Sequence, residues 1–117
     1  MVNNINKHTD KHLNLIFSAL SDPTRREMVK RLAAREQSIA ELASPFDMTK
    51  SAVTKHIKIL ESAGLLKRTI SGRVHHCQIQ AAPLKEATDW MSFYQTFWDK
   101  KLDALDAFLN TTKKDDK

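Results

Sequence analysis

Only two glycines and three prolines interrupt this 117-residue chain, so few positions can stop a helix or turn the backbone sharply. The chain is therefore expected to form mainly long helices with few loops. Its length suits one domain with a modest core. We accordingly take residues 1–117 as a single domain, in which residues 110–117 form a flexible tail.

Apolar periodicity and capping residues place the first three helices. Residues 8–20 repeat apolar side chains three and four positions apart, which predicts one buried helix face. Asp22 is a suitable N-cap for a second helix over about residues 23–35. Ser38 and Glu41 have the spacing of a capping box, which predicts the start of a short third helix.

The second half of the chain predicts a helix, a hairpin and a long final helix. Thr49 can cap a fourth helix over residues 49–63, and Gly64 can close it. Residues 65–80 hold two strand-like segments around a two-residue turn, Ser71-Gly72. Apolar residues then recur at helical spacing through the final helix, residues 82–109. The expected order is four helices, two strands and a fifth helix, mainly α with a small β-hairpin.

The fourth helix predicts a functional surface opposite its buried side. If Val53, Ile57 and Leu60 face the core, four polar side chains point away at 100° per residue, with Lys50 at the shoulder. These four are Ser51, Thr54, Lys55 and Lys58. Cations and short hydroxyls can contact phosphates and base edges in a major groove, which is wide enough to admit a helix. Residues 38–63 then form a helix-turn-helix, and residues 65–80 a wing.

Charge is concentrated on the same segment. The chain has a formal net charge of +5 and a sequence pI of about 9.5. Residues 47–80 carry six basic and two acidic residues, whereas residues 81–117 carry six basic and seven acidic ones. A lysine-rich face on one helix alone would be an ordinary solvated surface. The basic hairpin that follows directly favours a nucleic-acid partner.

Three segments carry a resemblance to a known family. They are LSDPTRREMVKRLA (20–33), SIAELASPFDMTKSAVTKHIKILESAGLLKR (38–68) and Gly72-Arg73 in the hairpin. The sequence resembles the ArsR family of bacterial winged-helix repressors over about residues 10–109. The resemblance implies a homodimer that binds operator DNA, with the first and last helices forming the dimer interface.

The resemblance also implies site residues. It gives as DNA-binding residues Thr49, Lys50, Ser51, Thr54, Lys55, His56 and, at the tip of the wing, Arg73. The outer face of the fourth helix adds Lys58, and the basic hairpin adds Arg68. His56 matches a frequent family histidine, but its helix angle places it at the edge of the buried face, so packing is the alternative role. The expected dimer interface comprises Leu13, Ile16, Phe17, Leu20, Met91, Tyr94, Trp98, Leu102 and Leu105.

The metal sites associated with the family lack their ligands here. Many members use a cysteine pair in the third helix, where this chain has SIAELAS (38–44). Others use carboxylates with histidine on the last helix, and residues 84–109 contain no histidine. No metal or cofactor site is therefore predicted. A weaker alternative joins His8 and His12, four residues apart, to carboxylates of the partner's last helix.

Two other groups of side chains could bind a ligand, one in the hairpin and one on the last helix. His75 and Cys77 share one side of a strand, but two ligands are too few for a metal, and Cys77 is expected to face the core. The aromatic cluster of the last helix, which contains Trp90, Phe93, Phe97 and Trp98, could line an effector pocket. Burial in the dimer and domain core is the favoured interpretation, because a small domain cannot bury such a helix alone.

Other functional classes are poorly supported. The chain has no Gly-rich phosphate loop, nucleophile elbow or metal-hydrolase motif, so an enzyme is not expected. A winged-helix module that binds only protein would usually lack the basic face. One cysteine, no apolar signal core and no membrane-length stretch predict a cytoplasmic protein. The sequence therefore predicts a homodimeric transcription repressor that binds a near-palindromic operator, with its effector unidentified.

Overall fold

The computed structural model describes the backbone of residues 3–115 and the side chains of residues 10–111. Within these residues the chain forms α1 (Asn3–Ala19), α2 (Pro23–Ala34), β1 (Gln37–Ser38), α3 (Ile39–Ala43), α4 (Lys50–Ser62), β2 (Leu66–Ser71), β3 (Val74–Ile79) and α5 (Ala81–Asp115). The predicted fold class, mainly helical with a small β element, is confirmed. The final helix extends past its predicted end at residue 109, so residues 110–115 are helical where a tail was expected.

The helix starts follow from local capping chemistry. Asp22 accepts a 3.1 Å hydrogen bond from the backbone N–H of Arg25 at the start of α2. In α3, Ser38 Oγ accepts from the backbone of Glu41, whose carboxylate accepts from the backbone of Ser38, both at 3.1 Å. Thr49 Oγ1 accepts from the backbone of Ala52 at 3.1 Å. Each of these caps satisfies a backbone N–H that has no partner within its helix.

The sheet has one strand and one turn position that the sequence did not predict. Its three strands are antiparallel in the order β1-β3-β2. The two-residue β1 pairs with β3 on the edge opposite β2. Because Ser71 pairs with Val74, the hairpin turn is Gly72-Arg73 rather than Ser71-Gly72. Gly72 has φ +63° and no other residue of the turn has a positive φ. A glycine at the first of two central positions is typical of a type II′ turn, whose twist matches the strands.

The core holds the helix-turn-helix together and fixes the outer face of α4. Leu42 of α3, Val53, Ile57 and Leu60 of α4, and Cys77 of β3 all lie in one buried cluster. Cys77 is fully buried, as predicted, and burial raises the pKa of its thiol. Since the apolar side of α4 is committed to this cluster, its opposite side must face outward.

The chain divides into two compact units between Ala87 and Thr88. The first unit contains the main core and a second cluster in which Leu13 and Ile16 of α1 pack with Ala87. In the second unit, every residue from 88 to 111 is exposed in a single chain. Among the described residues, no helix combines the length and apolar character needed to cross a bilayer.

Candidate nucleic-acid interface

The outer face of α4 gathers most of the predicted DNA-binding side chains on one surface. Together they line a depression of about 570 Å³, here called the α4 groove, formed by Lys50, Ser51, Thr54, Lys55 and Lys58. The three lysines and Ser51 are exposed, and Thr54 is half-buried. The exposed ammonium groups of these three lysines can neutralise the phosphates of a nucleic-acid backbone.

The hydroxyl groups of α4 differ in what they can offer a ligand. Thr54 Oγ1 donates to the backbone carbonyl of Lys50 at 2.9 Å, so its oxygen can still accept but its hydrogen is already used. Thr49 Oγ1 accepts from the backbone of Ala52, which leaves its own hydrogen available. Ser51 is exposed at the first turn of the helix. Ser51 is therefore a hydroxyl donor within the α4 groove, whereas Thr49 lies outside it.

The hairpin contributes Arg73 to a second depression beside the first. This depression, of about 670 Å³, lies between α3, the start of α4 and the hairpin tip, and both Lys50 and Arg73 line it. Its walls also include apolar side chains such as Ile39 and Val74. Lys50 borders both depressions, so the positive surface of α4 continues to the tip of the hairpin.

Arg68 occupies a different position from the other predicted cations. Its Nη2 donates to Glu61 Oε1 of α4 at 3.1 Å, and its side chain is only 19% exposed. Arg68 lines neither of the two depressions described above. This ion pair joins β2 to α4 and thereby fixes the hairpin against the helix.

His56 points towards α2 rather than into the α4 groove. Its side chain is 17% exposed, and its Nδ1 lies 3.1 Å from Arg25 Nη1 and 3.9 Å from Asp22 Oδ2. The backbone hydrogen bond from Arg25 lowers the pKa of Asp22, and the nearby charge of Arg25 acts in the same direction. The packing role considered for His56 therefore matches its surroundings, and Arg25 is a partner that the sequence analysis did not assign.

Two exposed apolar residues on the hairpin were also missed. Ile70 is 66% exposed and Val74 is 47% exposed, on the two strands next to the Gly72-Arg73 turn. Hairpin strands with one solvated face normally alternate apolar and polar residues. Ile70 is on the same face of the hairpin as the buried Leu66 and Cys77, whereas Val74 is on the opposite face, so only Val74 breaks the alternation. Val74 lines the second depression together with Arg73.

The predicted dimer residues fall into two groups. Leu13 and Ile16 are 6% and 0% exposed within a single chain, so they belong to its own core, and Phe17 and Leu20 are half-buried beside them. The residues on α5 are between 41% and 59% exposed: Met91, Tyr94, Trp98, Leu102 and Leu105. Only the α5 group offers a broad apolar surface to a partner.

The metal candidates show no assembled ligand set. His12 Nδ1 lies 2.6 Å from Glu86 Oε2, and the side chain of His8 lies outside the described residues. Across residues 10–111, no group of three or more histidine, cysteine or acidic side chains is placed to hold a metal ion. A metal site built on His12 and Glu86 would therefore need at least one further ligand.

Comparisons with known proteins agree with this arrangement. A family model described as a helix-turn-helix domain matches residues 20–69. The transcriptional repressor SdpR of Bacillus subtilis is 27% identical over 79 residues, which cover 68% of this chain and 88% of that protein. A transcriptional repressor SmtB homolog of Synechocystis is 39% identical over 57 residues, covering 49% of this chain and 43% of that protein.

Solved structures extend the similarity beyond the helix-turn-helix. The crystal structure of an ArsR family transcriptional regulator is 39% identical and superposes with a TM-score of 0.73, covering 77% of this chain and 93% of that one. The residues matched by the family model include α4 and its groove. The chain therefore belongs to the ArsR family of winged-helix transcriptional regulators.

Proposed function

We propose that this regulator is a homodimeric repressor that binds a near-palindromic operator through α4 and the hairpin wing. The observation that carries the proposal is the α4 groove, in which three lysines and a serine face outward and continue through Lys50 to Arg73. Repression is also the function of the similar protein SdpR from Bacillus subtilis, a transcriptional repressor. Occupying a promoter is sufficient to exclude the polymerase.

The two parts of the basic surface suit different parts of DNA. An α-helix fits the major groove of DNA. There Ser51 and Lys55 are proposed to contact base edges, and Lys50 and Lys58 to contact phosphates. The tip of a wing can reach the adjacent backbone or minor groove with Arg73. Thr49 is proposed to contact DNA through its remaining hydroxyl hydrogen, and Arg68 to act by holding the wing against α4.

The proposed dimer forms through the exposed apolar face of α5. At 100° per residue, Trp98, Leu102 and Leu105 lie on one side of the helix, with Met91 and Tyr94 beside them. Trp90, Phe97 and Phe108 form an adjoining strip, so apolar side chains cover roughly half of the circumference. Exposed apolar patches of this extent normally mark an interaction surface. A two-fold dimer would present two copies of α4 to half-sites about one DNA turn, or ~34 Å, apart.

DNA binding can be tested with genomic fragments. Selection of a fragment library with the purified protein is expected to recover a small set of fragments that share an inverted repeat. Nuclease footprinting should then protect two half-sites, because each subunit of the dimer reads one of them. Recovery of no fragment above background at low salt would contradict the proposal and favour a protein-binding module.

Zinc is expected to leave the protein–operator complex intact. The third helix has no cysteine and residues 84–109 have no histidine, and carboxylates alone favour harder cations than zinc. The measurement is fluorescence anisotropy of labelled operator during titration with zinc. The same titration on a His8→Ala/His12→Ala variant is the control. Release of DNA by stoichiometric zinc from the wild type, but not from that variant, would instead make the N-terminal histidines a sensor.

A further inference from the structure

The side chain of Arg25 connects three helices of the first unit. It lies in the first turn of α2, where its Nε donates to the carbonyl of Ala19 at 2.6 Å and its Nη2 to the carbonyl of Ser18 at 3.3 Å. Its remaining terminal nitrogen, Nη1, lies 3.1 Å from His56 Nδ1 on α4. One guanidinium therefore donates to carbonyls at the C-terminal end of α1 and also contacts α4 through His56.

This contact requires a particular form of His56. A guanidinium can only donate hydrogen bonds, so His56 Nδ1 must accept, and the imidazole must be neutral with its proton on Nε2. The charged groups in contact with the ring are Arg25 of α2 and Asp22, the N-cap of α2, whose Oδ2 is 3.9 Å from Nδ1. With a side chain only 17% exposed, His56 has little opportunity to replace these partners with water.

Protonation of His56 would exchange one contact for another. Nδ1 would then carry a hydrogen, so the bond from Arg25 would be lost and two cations would face each other. The nearest acceptor for the new N–H is the carboxylate of Asp22. Histidine is the side chain that ordinarily changes charge between about pH 5 and 8. The bond from Arg25 is therefore available only to the neutral ring of His56.

We propose that Arg25 and His56 are positioning residues that set the orientation of α4 for DNA, and that protonation of His56 weakens operator binding. This inference rests on the proposed function. His56 directly follows Lys55 in the helix, and its backbone is rigidly joined to the residues of the α4 groove. Loss of the bond to Arg25 frees α4 from the end of α1, so the lysines no longer meet the phosphates in a fixed arrangement.

The test compares the wild type with four variants on an operator fragment recovered by selection with the purified wild type. His56→Asn keeps an acceptor near the position of Nδ1 and does not titrate, whereas His56→Leu has similar bulk and no acceptor. Arg25→Gln removes the donor side. At pH 7.5, His56→Leu and Arg25→Gln are each expected to bind about tenfold more weakly, as for one lost hydrogen bond to a charged group. The double variant should lose little more than either single one.

The pH profile gives a measurement that loss of packing alone would not change. On acidification, wild-type affinity is expected to fall relative to that of His56→Asn, by about tenfold once His56 is protonated, because only the wild type loses the Arg25 bond. The slope of log affinity against log salt should be smaller for His56→Leu and Arg25→Gln than for the wild type, because their lysines lose fixed contacts with phosphates.

Three outcomes separate the possibilities. Equal pH profiles for the wild type and His56→Asn, or wild-type affinity for His56→Leu at pH 7.5, would overturn the positioning role. If Arg25→Gln fails to fold by circular dichroism, the asparagine and leucine pair at position 56 still decides the question. Failure of the wild type to bind DNA at any pH would instead overturn the proposed function itself.

Discussion

Replacing both Leu102 and Leu105 with glutamate is expected to convert the proposed dimer into a monomer. The two side chains are 58% and 53% exposed in a single chain and lie on the same side of α5, where the proposed partner would cover them. Burial of two unpaired carboxylates would cost at least several kcal/mol, which is comparable to the free energy of association of a modest dimer. Sedimentation equilibrium gives the mass directly.

A matched variant distinguishes the interface from a general effect of charge. Thr96→Glu combined with Asn110→Glu adds the same charge to α5 on the side away from the exposed apolar face, so it should remain a dimer. Circular dichroism should report the same helix content for both variants. A well-folded dimer that keeps glutamate at 102 and 105 would place the interface on another surface. Loss of dimerisation should also weaken operator binding, because the two half-sites are then bound independently.

Lys55→Ala and Arg73→Ala are expected to weaken operator binding in different ways. Lys55 lies in the α4 groove, so its loss should reduce affinity about tenfold and also change the preferred base sequence. Arg73 lies at the wing tip, so its loss should weaken binding to all fragments more evenly. Each phosphate contact that is lost should reduce the slope of log affinity against log salt by about one.

Binding isotherms at several salt concentrations test both variants against a neutral control. Lys30→Ala removes an exposed lysine of α2 that lines neither depression, so it should leave the affinity and the slope nearly unchanged. Comparison with this control separates the loss of a specific contact from a lower net charge. Unchanged affinity and slope for both Lys55→Ala and Arg73→Ala would contradict the assignment of the α4 groove and wing to DNA.

The elements predicted most accurately are those with local causes. Asp22, Ser38 and Thr49 cap their helices through hydrogen bonds that span only three residues, so sequence spacing alone located these helix starts. The outward direction of Lys55 and Lys58 likewise follows from the helix period once Val53 and Ile57 are buried. Fold class and the outer face of α4 were predictable for this reason.

Features that depend on distant partners were not predictable from spacing. β1 is only two residues long and exists because Gln37 meets Cys77 across the sheet, far along the chain. The turn position depends on how Ser71 aligns with Val74, and either glycine-containing dipeptide would have suited a hairpin. A two-residue strand leaves almost no periodic signal. Moving the turn by one residue shifts the strand pairing by two residues, so the same side chains stay on each face.

The sequence by itself determined the helices, their caps and the basic outer side of α4, because these depend on residues a few positions apart. Only the tertiary structure decided which of the side chains predicted to bind DNA are paired within the chain and which remain exposed. It pairs Arg68 with Glu61 and turns His56 towards Arg25, while Lys50, in the α4 groove, remains exposed. Such pairings form between residues up to 31 positions apart, so they are set by how the helices pack and not by local spacing.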